Sequence, residues 1–556
     1  MHDRLPNTKK LPQHIHESAK QARKADCDVS RREFIALASV FGASAAMAYG
    51  MLGLAPPAFA QSVPQMGGTA RIQGVIRGMK DPRTFDFATL ANTARGWLEY
   101  LVKYNNDGTF TPVLLDGWDV SDDAKTYTLR VRSGVTWNTG APFTAADVAN
   151  NITRFCDSTF EGNSMASRLG ILVDKETGKA LDGAIEIVDD LTVRLNLPAS
   201  DISIIPALSE YPAAIVPQDF DAETMLDNPV GTGPYVPIEY EVGVRVVLER
   251  HPTHTWWNAG NGAWLDRVEF IDYGEDPVAW VSAAEADEID QLYASEGGFI
   301  EVFDSFDNWT RHEAATAATI LVRPNQKAMV DNKRPYADVR VRQALALAVE
   351  NATVLELGSA GQGTVAENHH IAPIHPEYSE MEPLKVDSAA ALALMEEAGM
   401  ADFEHELISL DAGFQKDSAD AVAAQLRDAG IPVRRTVMPS STFWNNWAGY
   451  PLSTTIWGHR PLAVQVFALA YRSGEPWNES GMENAELDQH VNTALGTPDV
   501  GERRALMARV QEIMREEGVI IQPFWRSLYN HSKSNLKGGE IHVSQEMDPT
   551  KMYWEA

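Results

Sequence analysis

His369, His370 and His375, with Glu367 and Glu377 beside them, are the one group in this chain with the composition of a metal site. Imidazoles and carboxylates hold a divalent ion when three or four converge, and structural zinc sites place them at regular short spacings. Here the spacing is irregular and interrupted by Pro373 and Pro376, so the group reads as a polar loop or as the lining of a solute cavity. No metal and no other cofactor is expected. His405-Glu406 and His312-Glu313 begin like a zinc-peptidase helix but lack a second histidine four residues after the first. Ser534 and Lys537 match S-x-x-K by spacing alone, within a polar tail. The chain beyond residue 60 contains no G-x-S-x-G, no P-loop and no G-x-G-x-x-G. Cys156 has no partner once Cys27 is set aside with the leader, and reads as a buried thiol. These residue types favour binding a solute over transforming one, and no catalytic residue is assigned.

The N-terminus carries an address. Ser30-Arg31-Arg32-Glu33-Phe34-Ile35 opens an Ala-, Gly- and Ser-rich apolar run to about Leu54, followed by Ala58-Phe59-Ala60. Paired arginines, a moderately apolar segment and an A-x-A site are the layout of a twin-arginine export signal. The expectation is a precursor that folds before export, engages the twin-arginine translocase, is cleaved near Gln61 and resides in the periplasm. The alternative is an uncleaved N-terminal anchor. About 496 residues then remain, more than one hydrophobic core accommodates, so at least two domains are expected. That remainder has 39 basic and 72 acidic residues. So acidic a surface repels nucleic acid and anionic lipid, which argues against both as partners.

The elements that must position any site alternate between strand and helix. Thr126 to Arg132 alternates polar and apolar residues, the mark of a half-buried strand, and Ile185–Ile187 and Val193–Leu197 flank an Asp189-Asp190 hairpin turn. Later, a strand at His405–Leu410, a helix over Asp417–Ala429 closed by Gly430, and a strand at Val433–Val437 imply a parallel crossover. Leu506, Val510, Ile513 and Met514 mark another helix, closed by Gly518 before a strand expected at Val519–Phe524. The class is α/β.

Several segments resemble one family. Gly68–Arg71 and Asp81–Asp86 look like the opening strand and turn of the dipeptide/oligopeptide/nickel class of periplasmic solute-binding proteins, family 5. Pro112–Trp118, Tyr127–Arg132, Gly134–Gly140 and Phe143–Val148 are similar to its longest signature. Gly231-Thr232-Gly233-Pro234-Tyr235, His254–Trp257 and Pro335–Leu345 follow in the family's order. The resemblance implies a two-lobed binding-protein fold with an additional inserted domain. Its expected parts are the signal peptide 1–60, lobe I from 61–96, 217–325 and 520–556, an inserted domain 97–216, and lobe II 326–519. It also implies a monomer that closes over one small molecule and delivers it to the permease subunits of an ABC importer. The cargo would be a peptide or peptide-like compound. An exported enzyme or a sensory binding protein on the same scaffold is the alternative.

In the dipeptide-binding members, a G-W-x-x-D-x-x-D-P segment supplies an aspartate to the peptide's ammonium. The corresponding stretch here is Ile456–Gln465, which keeps Trp457 and Gly458 but has His459 and Arg460 near where the acid should be. A guanidinium grips carboxylate or phosphate and repels an ammonium, so an anionic group on the cargo is expected. Arg460 paired with an acid of the protein itself is the other reading. Trp444 and Trp477 join Trp457, His459 and Arg460 as expected ligand contacts, since indoles stack on apolar, sugar or cationic groups. The resemblance adds Asn92 and Trp97 from the early loop, and His369 and His370 at the cleft rim.

Overall fold

The computed structural model describes residues 11–25, 28–55, 63–411 and 413–556. Most strands join one mixed sheet. Its order begins Val433–Met438, His405–Leu410, Leu452–Trp457, Trp309–Pro324, Phe524–Lys533 and continues Gln291–Leu292, Thr69–Gln73, Arg267–Ile271, Arg245–Arg250, Tyr235–Glu241. Gly363–Val365 adds to Phe524–Lys533. The two halves of this sheet meet on the antiparallel pair Trp309–Pro324 and Phe524–Lys533, whose register shifts between Ala315 and Thr319. A long strand with an irregularity at its middle is stiff along each half and able to bend between them. This gives an α/β fold of two lobes. A separate four-stranded sheet, Leu115–Val120, Thr126–Val131, Thr192–Asn196 and Ile185–Asp189, packs beside it as the additional domain.

The local patterns form for the expected reasons. The alternating run at Thr126–Val131 buries Tyr127, Leu129 and Val131 on one face. Gly413–Asp428 crosses between His405–Leu410 and Val433–Met438, which pair in parallel. Thr144 starts the helix Ala145–Phe155, and Asp147 reaches back to accept the Thr144 backbone N–H at 2.8 Å. One expectation shifts: only an isolated bridge, Ile521 to Val322, forms in 519–523, and the strand begins at Phe524. Pro523 has no N–H to contribute to a ladder. Gly231 and Gly233 do more than turn the chain. A Cβ would lie 2.0 Å from the Trp97 carbonyl oxygen at the first and 2.5 Å from that of Gly96 at the second, so only glycine admits this approach.

The N-terminal segment is part of the packing rather than apart from it. Gln13–Ala25, Asp28–Val40 and Ala45–Leu52 are helices, with Phe34, Leu37 and Phe41 buried. The Trp118 indole donates to the Val40 carbonyl at 2.8 Å, and the Phe110 N–H donates to Ser39 Oγ at 2.8 Å. The moderately apolar run is broken after Val40, where Gly42 takes φ +83° and Ser44 caps the next helix. Among the described residues no helix is long and apolar enough to cross a membrane. Ala58-Phe59-Ala60 and Gln61 lie outside the described residues. Cys156 is buried, and burial pushes its thiol up to about 12, which leaves it unreactive.

Candidate solute-binding cavity

A cavity of about 950 Å³ lies between the two ends of the large sheet and the additional domain. Trp444, Trp447, Trp457 and Trp477 line it on one side, and Arg77, Phe87, Tyr211, Tyr293 and Glu546 on the other. Pockets of a few hundred to a thousand cubic ångströms with mostly apolar walls and a few placed polar groups suit small organic ligands.

The tryptophan wall is held from behind by a buried ion pair. Arg323, on the long strand and fully buried, donates from Nε to Glu479 and from its terminal nitrogens to the carbonyls of Trp447 and Tyr450. The other oxygen of Glu479 accepts the Trp457 indole N–H and the Thr455 hydroxyl, both at 2.8 Å. With its N–H so committed, Trp457 offers the cavity a fixed ring. Trp477 meets it at 5.9 Å and 67°, and Trp447 meets Trp477 at 6.4 Å.

Beyond Trp457 the chain turns through Gly458, His459 and Arg460. His459 is buried, its Nδ1 accepts the Ala317 N–H at 3.1 Å, and it stacks on Tyr104 at 5.6 Å. Nδ1 as acceptor places the proton on Nε2, which donates to the Tyr104 hydroxyl at 3.2 Å. Burial, and then the charges of neighbouring groups, hold this imidazole well below its usual range, so it is neutral. Arg460 Nε stands 3.3 Å from Glu210 Oε2, and its Nη1 donates to the His459 carbonyl. Glu210 also accepts from Arg168 Nε at 2.6 Å and from Gln465 Nε2 at 3.4 Å. Burial would raise the Glu210 carboxyl, but Arg168 and Arg460 outweigh it and hold it below the usual carboxylate range. The guanidinium expected to await an anion therefore already has a carboxylate of the protein beside it.

The other expected residues fall elsewhere. His369 and His370 are buried behind the wall and do not line the cavity. His369 Nε2 bonds Glu367 at 3.1 Å, and His370 Nδ1 bonds the Tyr471 hydroxyl at 2.6 Å. His375 accepts the Ala372 N–H on Nδ1 and donates from Nε2 to the Arg460 carbonyl at 3.1 Å, so it braces the loop that carries Arg460. Glu377 is taken by Arg503 at 3.0 Å and by the Ala463 N–H at 3.1 Å. Most donors and acceptors of the histidine-rich loop are thus spent on the protein; the buried Nε2 of His370 is the exception. Trp97 is core, packed under the two glycines. Asn92 acts at one remove: its amide donates to the Gln545 carbonyl and accepts the Met547 N–H, both at 2.9 Å, and so fixes the tail segment that contributes Gln545 and Glu546 to the cavity. Reading the sequence missed Glu210, Arg168, Glu479, Arg77 and Glu546. They are single charged residues in segments remote from one another, and only the fold reveals that they meet at one cavity.

A family model described as bacterial extracellular solute-binding proteins, family 5, matches residues 109–479. A protein named probable deoxycholate-binding periplasmic protein, from Escherichia coli K12, is 24% identical over 84% of this chain and 90% of its own length. The nickel-binding periplasmic protein of the same organism is 25% identical over 79% of this chain and 85% of its own. Among solved structures, the oligopeptide-binding protein AppA of Bacillus subtilis in complex with a nonapeptide superposes with a TM-score of 0.75. It is 18% identical and covers 89% of this chain and all of that one.

Burial drives the His375 pKa down to about 4. Between that value and the ordinary histidine value of about 6.5, the unfolded chain binds a proton that the folded one does not, so stability falls as pH falls through this window. The contribution of this residue amounts to about 3 kcal/mol by pH 4. Urea unfolding followed from pH 7 to pH 4 should therefore show a slope shallower by about one proton in His375→Gln than in the wild type. Equal slopes would mean that His375 is protonated in the folded protein.

Proposed function

Because the chain belongs to family 5 of the bacterial extracellular solute-binding proteins, we propose that it is the periplasmic solute-binding component of an ABC importer for peptides or peptide-like small molecules. Members of this family bind solutes and are not enzymes. The observation that carries the finer reading is the cavity itself, walled by four tryptophans and bridged by Glu210, which Arg168 and Arg460 share. Its volume exceeds what a single amino acid fills and suits a short peptide or a compound of similar size. The relatives' names span a nonapeptide, nickel and deoxycholate, the last a carboxylate at neutral pH.

In this reading lobe I comprises 61–96, 217–325 and 520–556, the inserted domain 97–216 and lobe II 326–519. Trp444, Trp457 and Trp477 contact the solute, with His459 offering its ring and Arg460 its remaining guanidinium edge. The solute drives closure because it touches both lobes only when they are shut, and differential affinity is the only means by which a ligand shifts such an equilibrium. The permease then meets the closed form. No covalent step is needed. The leader is read as a twin-arginine signal whose removal near Gln61 takes the three N-terminal helices with it.

Two outcomes are expected. The solute that co-purifies with the protein, identified by mass spectrometry and added back, should be recovered unchanged. At about a hundredfold over its dissociation constant it should stabilise the fold by roughly 2.7 kcal/mol. Consumption of that solute would contradict the binding reading. For export, Arg31→Lys with Arg32→Lys should leave folded precursor in the cytoplasm, as measured by fractionation and N-terminal sequencing; normal periplasmic accumulation would contradict the twin-arginine route.

A further inference from the structure

Four cations besides the neutral His459 line the cavity: Arg77, Lys80, Arg460 and Arg526. Three are matched. Lys80 pairs with Asp86 at 2.9 Å, Arg460 with Glu210 at 3.3 Å, and Arg526 with Glu296 at 2.6 Å. The guanidinium of Arg77 has no acid within ion-pairing distance and no hydrogen bond to any described residue, and its Nε is shut off from solvent. In a chain with 77 acidic residues against 47 basic ones, a half-buried guanidinium without a carboxylate is a position kept open. Leaving a charged donor unmatched in a partly dry site costs free energy that a bound acceptor returns.

The surroundings hold Arg77 ready. Its carbonyl accepts the Tyr240 hydroxyl at 2.7 Å, and the N–H of the preceding Ile76 donates to Asp272 at 2.8 Å, so the backbone is pinned on both sides. The guanidinium carbon lies 4.0 Å from the centroid of the Phe87 ring, a stacking that fixes the plane of the fork and leaves its N–H edge free. From the opposite end of the sheet, Trp444 meets the same Phe87 ring at 6.4 Å and 80°. The half-buried Trp444 lines the same cavity, so the guanidinium and an indole from the facing wall border one space.

We propose that Arg77 is the anion anchor of the cavity: it takes an oxyanion of the solute, a carboxylate or a phosphate-like group, over Phe87 and beneath Trp444. The inference rests on the solute-binding reading and moves the anionic contact from Arg460, which serves Glu210, to a residue of the other wall. An anion held there also touches both ends of the sheet, which ties recognition of its charge to closure.

The test uses thermal stability of the purified protein with three probes. These are a pool of di- and tripeptides as free acids, the same pool as C-terminal amides, and benzoate with phenyl phosphate as non-peptide oxyanions. The free acids should stabilise the wild type at concentrations about tenfold or more below the amides, the difference expected for one charged hydrogen-bonded contact. Arg77→Gln should erase that preference while its ligand-free melting temperature stays at the wild-type value; Arg77→Lys should restore part of it, since a point charge lacks the fork. If Arg77→Gln proves unstable, the preference in Arg77→Lys decides alone, and an undiminished preference overturns the proposal. Acids and amides bound equally, or a preference that survives Arg77→Gln, also overturns it while leaving the peptide reading standing. Stabilisation by benzoate and phenyl phosphate alone, lost in Arg77→Gln, supports the anchor and removes the peptide reading. No stabilisation by any probe removes both.

Discussion

Glu210 is the interaction on which the rest of this structure depends. A carboxylate taken out of water is stable only where paired and hydrogen-bonded. Glu210 is buried between two guanidiniums that come from different parts of the chain, Arg168 in the additional domain and Arg460 beyond the strand Leu452–Trp457. If the two parts separate as rigid bodies, Glu210 stays with Arg168 and Arg460 is left without its carboxylate, so the parts are held together by the share of the charge that Arg460 takes. Arg168 also lies 5.3 Å from the Trp477 ring, so the pairing sets the depth of the tryptophan wall against the additional domain. One acid thus fixes where the walls of the cavity stand relative to each other.

Behind this clamp is a second, wholly internal pair. Arg323 and Glu479 carry no exposed surface to speak of, and their remaining hydrogen bonds go to Trp447, Tyr450, Thr455 and Trp457. Truncating one partner of such a pair typically costs 3–5 kcal/mol. The arrangement separates two tasks. Arg323 and Glu479 keep one wall rigid, while Glu210 joins that wall to what faces it. The irregular register between Ala315 and Thr319 lies on the strand that links the two halves, where bending does least damage to either.

The scaffold was legible in the sequence because its signals are local. Alternation at Thr126–Val131 and Gly430 after Gly413–Asp428 each act within a few residues, and each formed as read. The tryptophans and the Trp457–Arg460 turn were also readable, since they sit in one segment whose resemblance to a family drew attention to it. What could not be read was who pairs with whom. Arg460 looked free because Glu210 is 250 residues away, and His369 and His370 looked like rim residues because nothing local tells a buried histidine from an exposed one. Arg77 gave no signal at all: its significance is the absence of an acid around it, which exists only in three dimensions. The leader resembled a detachable segment, and its described part packs against Phe110 and Trp118, since an apolar helix near apolar side chains buries both.

The central claim is that solute and Glu210 together hold the halves shut, and the distance between those halves tests it most directly. Spin labels on cysteines placed at Lys175 and Asp417, exposed positions on the additional domain and on the helix Gly413–Asp428, would report that distance by pulsed electron paramagnetic resonance, with Cys27 and Cys156 replaced. The account predicts one short distance with the co-purifying solute bound, a longer population after the solute is stripped, and a further shift to the longer population in Glu210→Gln. The same single distance in all three samples would contradict it.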